Sequence, residues 1–402
     1  MSTSSLVKGA AVPAVLPWSG LLALSTAAFT AVVTELLPAG LLPRMAPALG
    51  VSEARVGFLV TGYAAASFVA AVPVTALLRG LPRRPVLIGA LLGFALSNAV
   101  VALSSSYGVT FAARLLAGVM GGTLWAMLAG YAARMVPPER RGRAIAVVLA
   151  GITLALSLGV PAGTALAGIT GWRAAFALLA GVAALLTAWV RWRVPGFPGE
   201  ERATRVPLAR VALLPGIPVI LSVTLFLLLG HQVMYTYVAP FSAHAGFGRT
   251  DVVLLMFGAS TVAGIWATGL LVDRRPRATL LGALVLCAAV MLALGGYARV
   301  PAVLLVSVAL WGAAFGGAPT LIQTALVDAS GPSAADVATS LQTTVYNAGI
   351  AGGSLTGGLV LDRLGPAALP WAALPLLAAA LTAVALGRRH AFPAGRGTGR
   401  RA

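Results

Sequence analysis

The stretch from Val194 to Arg210 reads V-P-G-F-P-G-E-E-R-A-T-R-V-P-L-A-R. It is the longest polar connection in the chain, charged and rich in Pro and Gly, and it reads as a linker. On each side of it lie six apolar segments of about 20 residues or more, the length that crosses a bilayer. They run 18–42, 54–78, 85–104, 107–134, 142–168 and 172–192, then 213–241, 251–272, 278–298, 301–327, 336–361 and 367–387. The expected fold is therefore all-α and membrane-spanning, with twelve helices in two pseudo-symmetric six-helix bundles. Residues 1–193 and 213–387 form the bundles, 194–212 the linker, and 388–402 a basic, disordered tail.

Composition points the same way. Of 402 residues 59% are hydrophobic and 9% charged, with a mean hydropathy of +0.94. A soluble domain carries about 25% charged residues, so this chain has too few to coat a globule in water. The net charge of +18 would suggest nucleic acid in a soluble protein. Here it follows the enrichment of Lys and Arg in cytoplasmic loops. With both termini inside, 21 of the 28 Lys and Arg fall on the inner side, six on the outer, and Arg114 within a span. The segment from Trp18 is too long for a secretory signal and no small-residue cleavage site follows it. The lone Cys287 allows no intramolecular disulfide. The expected location is a bacterial cytoplasmic membrane.

The two sets of spans resemble each other. Leu87–Leu91 (L-I-G-A-L) matches Leu280–Leu284 (L-L-G-A-L), Gly121-Gly122 matches Gly316-Gly317, and Gly163 matches Gly358. Each match falls on the corresponding span of the other half. Parallel repeats of this kind place a substrate site between the halves, near the midplane. Small residues four apart let helix backbones approach closely; Gly159 with Gly163 and Gly353 with Gly357 are such pairs, and Pro161 is expected to bend the fifth span.

Glu35, in V-V-T-E-L-L-P-A-G-L-L-P (Val32–Pro43), and Arg114 are the only fully charged residues deep within expected spans. At 1.5 Å per residue, Glu35 lies roughly 25 Å along the first span and Arg114 roughly 10 Å below the outer surface. In a core about 30 Å thick their depths agree. A charge at the bilayer centre costs about 2.5–3.5 kcal/mol on insertion scales. The expectation is that the two face one cavity and interact, so that a motion changing their separation changes the proton affinity of Glu35. The other reading makes Glu35 a fixed hydrogen-bonding group at a proline-broken helix end.

Neutral candidates for a mostly apolar substrate cavity are Tyr63, Asn98, Trp125, Gln232, Tyr235, Gln323, Gln342, Tyr346 and Asn347. Each also serves as an interhelical hydrogen-bonding or packing group on a simpler reading. His231 is a proton-carrying candidate or a satisfied core histidine.

Further runs carry a family resemblance. G-L-L-V-D-R-R-P-R (Gly269–Arg277) resembles the signature loop of the major facilitator superfamily. P-E-R-R-G-R-A-I-A from Pro138, L-G-V-P-A-G-T from Leu158, G-W-R-A-A-F from Gly171, T-E-L-L-P-A-G-L-L-P and Y-T-Y-V-A-P-F (Tyr235–Phe241) resemble its twelve-helix bacterial drug:proton antiporters, including chloramphenicol-resistance and sugar-efflux exporters. The amino-terminal counterpart of the loop keeps Arg83-Arg84 but has Arg79 in place of the family's Asp and Thr75 in place of Gly. The resemblance implies a conformational latch from Arg83, Arg84, Asp273, Arg274 and Arg275, against a simple reading of Arg83 and Arg84 as solvated positive-inside charges.

The implied function is proton-driven export of a small amphipathic compound by a monomer, with protons, substrate and lipid as its partners and neither cofactor nor nucleic acid. Alternatives are a sugar or nucleoside exporter or importer, and a non-transporting membrane receptor. No P-loop is present, and no metal-ligand cluster or catalytic constellation supports an enzyme.

Overall fold

In the computed structural model the residues described are 16–392, except Val72, Arg79, 200–207, 272–274, 332–333 and His390. Asp273, Arg274, residues 200–207 of the expected linker and most of the expected tail thus lie outside the described residues. The described secondary structure is helical throughout.

The helices are α1 (Trp18–Leu49), α2 (Glu53–Ala71), α3 (Pro73–Leu78), α4 (Arg83–Leu103), α5 (Tyr107–Arg134), α6 (Arg141–Leu154), α7 (Val160–Thr170) and α8 (Trp172–Arg193). After residues 194–207 come α9 (Leu208–Ala212), α10 (Ile217–Tyr235), α11 (Val238–His244), α12 (Thr250–Leu271), α13 (Pro276–Tyr297), α14 (Pro301–Ser330), α15 (Ala335–Leu364) and α16 (Leu369–Leu386). Among the described residues ten helical segments are long and apolar enough to cross a membrane, α6 and α7 counting as one. The two other expected spans fall on α2 with α3 and on α15.

Three expected spans differ in detail because of proline. The first does not end at its prolines: α1 runs through Pro38, Pro43 and Pro47 to Leu49 and stops at Gly50, whose φ of 64° suits a residue without Cβ. The seventh is not continuous. Pro240 has no N–H to offer the Thr236 carbonyl, and the chain breaks at Thr236-Tyr237 between α10 and α11. In the fifth, a π-helical turn at Ala155–Gly159 separates α6 from α7 just before Pro161.

Helices α1–α8 pack chiefly on one another, as do α10–α16, and the two groups meet where α2 lies on α15, α1 on α11, and α12 on α7 and the π turn. These contacts are close because glycines make them. Side chains added at Gly57 or Gly358 would overlap Tyr237, and one at Gly258 would overlap the Leu156 backbone. The Tyr237 hydroxyl donates to the Ser354 carbonyl at 2.7 Å, and Thr236 and Ser354 share a hydroxyl hydrogen bond of 2.8 Å.

The apolar core is divided along the helix axes. Call the end where α1 and α10 begin the near end and the opposite one the far end. One cluster holds the near-end halves of the first group, including Leu21, Leu24, Ala31, Leu87, Phe94, Leu128 and Leu186. The other joins their far-end halves, from Val32 through Leu49, Val60, Val101, Val160 and Phe176, to the whole second group. The boundary on α1 falls between Ala31 and Val32. Accordingly, α1 shows some surface at Leu22, Thr26 and Phe29, whereas every residue from Thr30 to Leu42 is buried. Likewise α10–α11 is buried throughout from Gly230 to Ser242.

Candidate functional site

Pro38 explains the centre of the molecule. In an α-helix the carbonyl of residue i accepts from the N–H of residue i+4; proline at 38 leaves the Thr34 carbonyl without that donor. Arg114 supplies it. Its Nη1 donates to the Thr34 carbonyl, its Nη2 to the Glu35 carbonyl at 2.8 Å, and its Nε to the Leu59 carbonyl of α2 at 3.3 Å. The guanidinium also lies 4.9 Å from the Tyr63 ring centroid. Asn98 reaches in from α4, donating to the Thr34 hydroxyl at 3.1 Å and to the Phe94 carbonyl at 2.9 Å.

Glu35 and Arg114 are therefore neighbours, at matching depth, but the guanidinium hydrogen bonds go to backbone carbonyls and none goes to the carboxylate. Glu35 is 6% exposed, and its Oε1 has no hydrogen-bond partner. Tyr63, Arg114 and, from the other helix group, Tyr346 lie within electrostatic range of it. The structure thus gathers Glu35, Arg114, Tyr63 and Asn98 around the Pro38 turn of α1, with Tyr346 facing them across the seam.

His231, Gln232 and Tyr235 form a second cluster on α10. The His231 ring stacks on Phe315 with centroids 3.6 Å apart and has Tyr235 and Trp311 at 5.1 Å and Phe257 at 5.7 Å. Nδ1 of His231 and Oε1 of Gln232 are buried without partners. The remaining candidates are dispersed. Asn347 bonds within its own helix to the Thr343 carbonyl, Gln342 is buried, Trp125 is half-buried against both cores, and Gln323 is exposed. The sequence did not single out Phe257, Trp311, Phe315 or Ser67. For Ser67 a signal existed, since it lies one turn from Tyr63 on the same face of α2.

The expected packing glycines lie at helix crossings. Side chains at Gly159 and Gly163 would meet Val33, Phe29 and Leu37 of α1, and at Gly353 and Gly357 the Leu229 and Val233 carbonyls of α10. At the near end, Arg83 and Arg84 are half-buried rather than fully solvated. The Arg83 N–H donates to the Phe197 carbonyl at 2.9 Å and Arg84 Nη1 reaches the Val194 carbonyl at 3.5 Å. Tyr131 donates to the Pro195 carbonyl at 2.6 Å, with Phe197 edge-on to its ring. The residues that follow α8 are thus held against α4 and α5. Arg275, exposed, opens α13 and accepts from Thr279.

Long apolar helices around a buried Glu35–Arg114 pair define a multi-pass membrane protein. The major facilitator superfamily model matches residues 24–354 and 252–398, and the chain belongs to that family. Over 337 residues it is 36% identical to a chloramphenicol resistance protein of Streptomyces lividans, covering 82% of this chain and 85% of that one. It is 32% identical over 396 residues to a protein of Pseudomonas aeruginosa named as a transcription regulatory protein, covering 94% and 96%. It is 28% identical over 347 residues to a probable sugar efflux transporter of Helicobacter pylori, covering 85% and 88%.

Proposed function

We propose that this chain is a twelve-span, two-bundle secondary transporter of a bacterial cytoplasmic membrane, with bundles at 1–193 and 213–387 and both termini in the cytoplasm. It exports a small amphipathic compound of the chloramphenicol type in exchange for protons, acting as a monomer. The observation that carries this reading is Glu35: a buried carboxyl with an unpartnered oxygen, beside an arginine whose donors serve the backbone. Such a group takes up or releases a proton without breaking a hydrogen bond that holds the fold. The divided core supports alternating access, because the two helix groups share one apolar cluster at the far end while the near-end halves of α1–α8 keep a cluster of their own. On this reading the near end is cytoplasmic and the cavity opens inward. One proton entering down a membrane potential supplies about 2.3 kcal/mol per 100 mV.

Expression in a chloramphenicol-sensitive bacterial host tests class and direction together. Resistance is expected to rise, to vanish with a protonophore, and to be lost in Glu35→Gln at unchanged membrane abundance. Resistance that survives the protonophore would rule out antiport. The name of the Pseudomonas relative favours a second reading, a non-transporting membrane sensor; proteoliposomes that take up no labelled chloramphenicol or sugar under a proton gradient would support it.

A further inference from the structure

Seven buried side-chain atoms among the described residues have no hydrogen-bond partner, and four of them lie on α1 and α2: Glu35 Oε1, Thr61 Oγ1, Tyr63 OH and Ser67 Oγ. An unsatisfied buried polar atom costs about 1–3 kcal/mol, so a concentration of them calls for a reason. Tyr63 and Ser67, both fully buried, stand one turn apart and share a face of α2; Thr61 points roughly 200° away from Tyr63.

That face packs on the glycines of α5. A Cβ at Gly121 would overlap the Tyr63 hydroxyl, and one at Gly122 would come within 3.2 Å of Ser67 Oγ. Because Gly121 and Gly122 are consecutive, both hydroxyls lie at one level of the α2–α5 seam, with bare backbone opposite. On the other side, the Tyr63 ring lies under Arg114 and within electrostatic range of Glu35. The order Glu35, Tyr63, Ser67 steps from the Pro38 turn toward the near end.

We propose that the Tyr63 and Ser67 hydroxyls relay the proton between Glu35 and the near end. None of the three groups is hydrogen-bonded to the next in this structure, so the transfer runs when the gaps close or single waters bridge them: the Glu35 carboxyl then passes its proton toward the Tyr63 oxygen as the Tyr63 proton moves to Ser67. Ser67 in turn gives its own proton to water, so each hydroxyl gains and loses one and a single proton leaves. The groups facing Glu35 from the packed helices are Arg114 of α5, Tyr63 of α2 and Tyr346 of α15. Arg114 stays out of the chain because its donors are committed to the Thr34, Glu35 and Leu59 carbonyls. This rests on the reading of Glu35 as the proton carrier.

Infrared difference spectroscopy on protein reconstituted in phosphatidylethanolamine–phosphatidylglycerol vesicles separates the two ideas. The protonated-carboxyl band present in the wild type and missing in Glu35→Gln belongs to Glu35, and its hydrogen–deuterium exchange gives the proton transfer rate. Tyr63→Phe keeps the ring under Arg114, and Ser67→Ala removes a hydroxyl that bonds to nothing, so both are expected to fold with wild-type thermal midpoints. Each is expected to slow the exchange about tenfold, a barrier about 1.4 kcal/mol higher, and the double variant to be no slower than the slower single one. Exchange at the wild-type rate in both single variants overturns the relay while leaving Glu35 in place. If Glu35→Gln removes no band, the reading of Glu35 falls and the relay falls with it.

Discussion

At the scale of single residues, Arg114 changes role between sequence and structure. Its charge and depth point to Glu35, but its fork closes on carbonyls of α1 and α2. Backbone acceptors have no signature in a sequence; what could have revealed the pairing was Pro38, four residues after Thr34. The consequence is testable. Arg114→Lys keeps the charge but not the planar fork, and loss of charge-assisted bonds is expected to cost about 1.5–3 kcal/mol. Adding Pro38→Ala restores a donor for the Thr34 carbonyl and is expected to recover part of that loss, which thermal unfolding of the purified protein would measure. If the second substitution only adds to the damage, Arg114 is not the keeper of the proline turn. Exchanging the charges, Glu35→Arg with Arg114→Glu, is likewise expected to fold no better than either single change, because a glutamate cannot donate to carbonyls.

At the scale of elements, what the sequence made legible was the apolar helices themselves. Hydropathy and basic flanks located most segments to within a few residues, since both follow from the cost of moving charge into lipid, although α1 runs seven further than expected. Proline behaviour was less legible. Whether a helix passes through proline, breaks, or takes a π turn depends on who supplies the missing hydrogen bond. α1 has Arg114 for that task, while α10–α11 breaks. That the residues following α8 would be held by Arg83 and Tyr131 was not legible. The same dependence on neighbours governs the π turn, against which Gly258 of α12 lies. Gly258→Ala would drive a Cβ into the Leu156 backbone, an overpacking expected to cost about 1–3 kcal/mol. Since that contact joins the two helix groups, the variant is expected to remain in the membrane at normal abundance yet to hold the far end apart. The check is labelling of a cysteine introduced by Met45→Cys, a truncation within the buried far-end cluster, which is expected to react faster with a membrane-impermeant reagent in the Gly258→Ala background. Unchanged labelling would mean the π turn yields instead.

For the whole molecule, the divided core describes an unequal partnership. The far-end halves of α1–α8 share one apolar cluster with α10–α16, while their near-end halves keep a cluster of their own. A sequence shows which residues are apolar but not which of two ends they seal, because both arrangements bury the same helices. Opening the far end must wet side chains such as Met45, Leu254 and Phe241, now buried within the shared cluster. Exposing apolar surface raises heat capacity by about 0.45 cal/K/mol for each Å². The step that releases the far end should therefore have an activation enthalpy that rises with temperature, and an Eyring plot of turnover in a lipid without a phase transition should curve. A straight plot would mean that little apolar surface is wetted in the rate-limiting step. Because apolar attraction weakens on cooling, the seal between Val32 and Leu49 is a thermal element as well as a mechanical one: cold loosens the end that warmth holds shut.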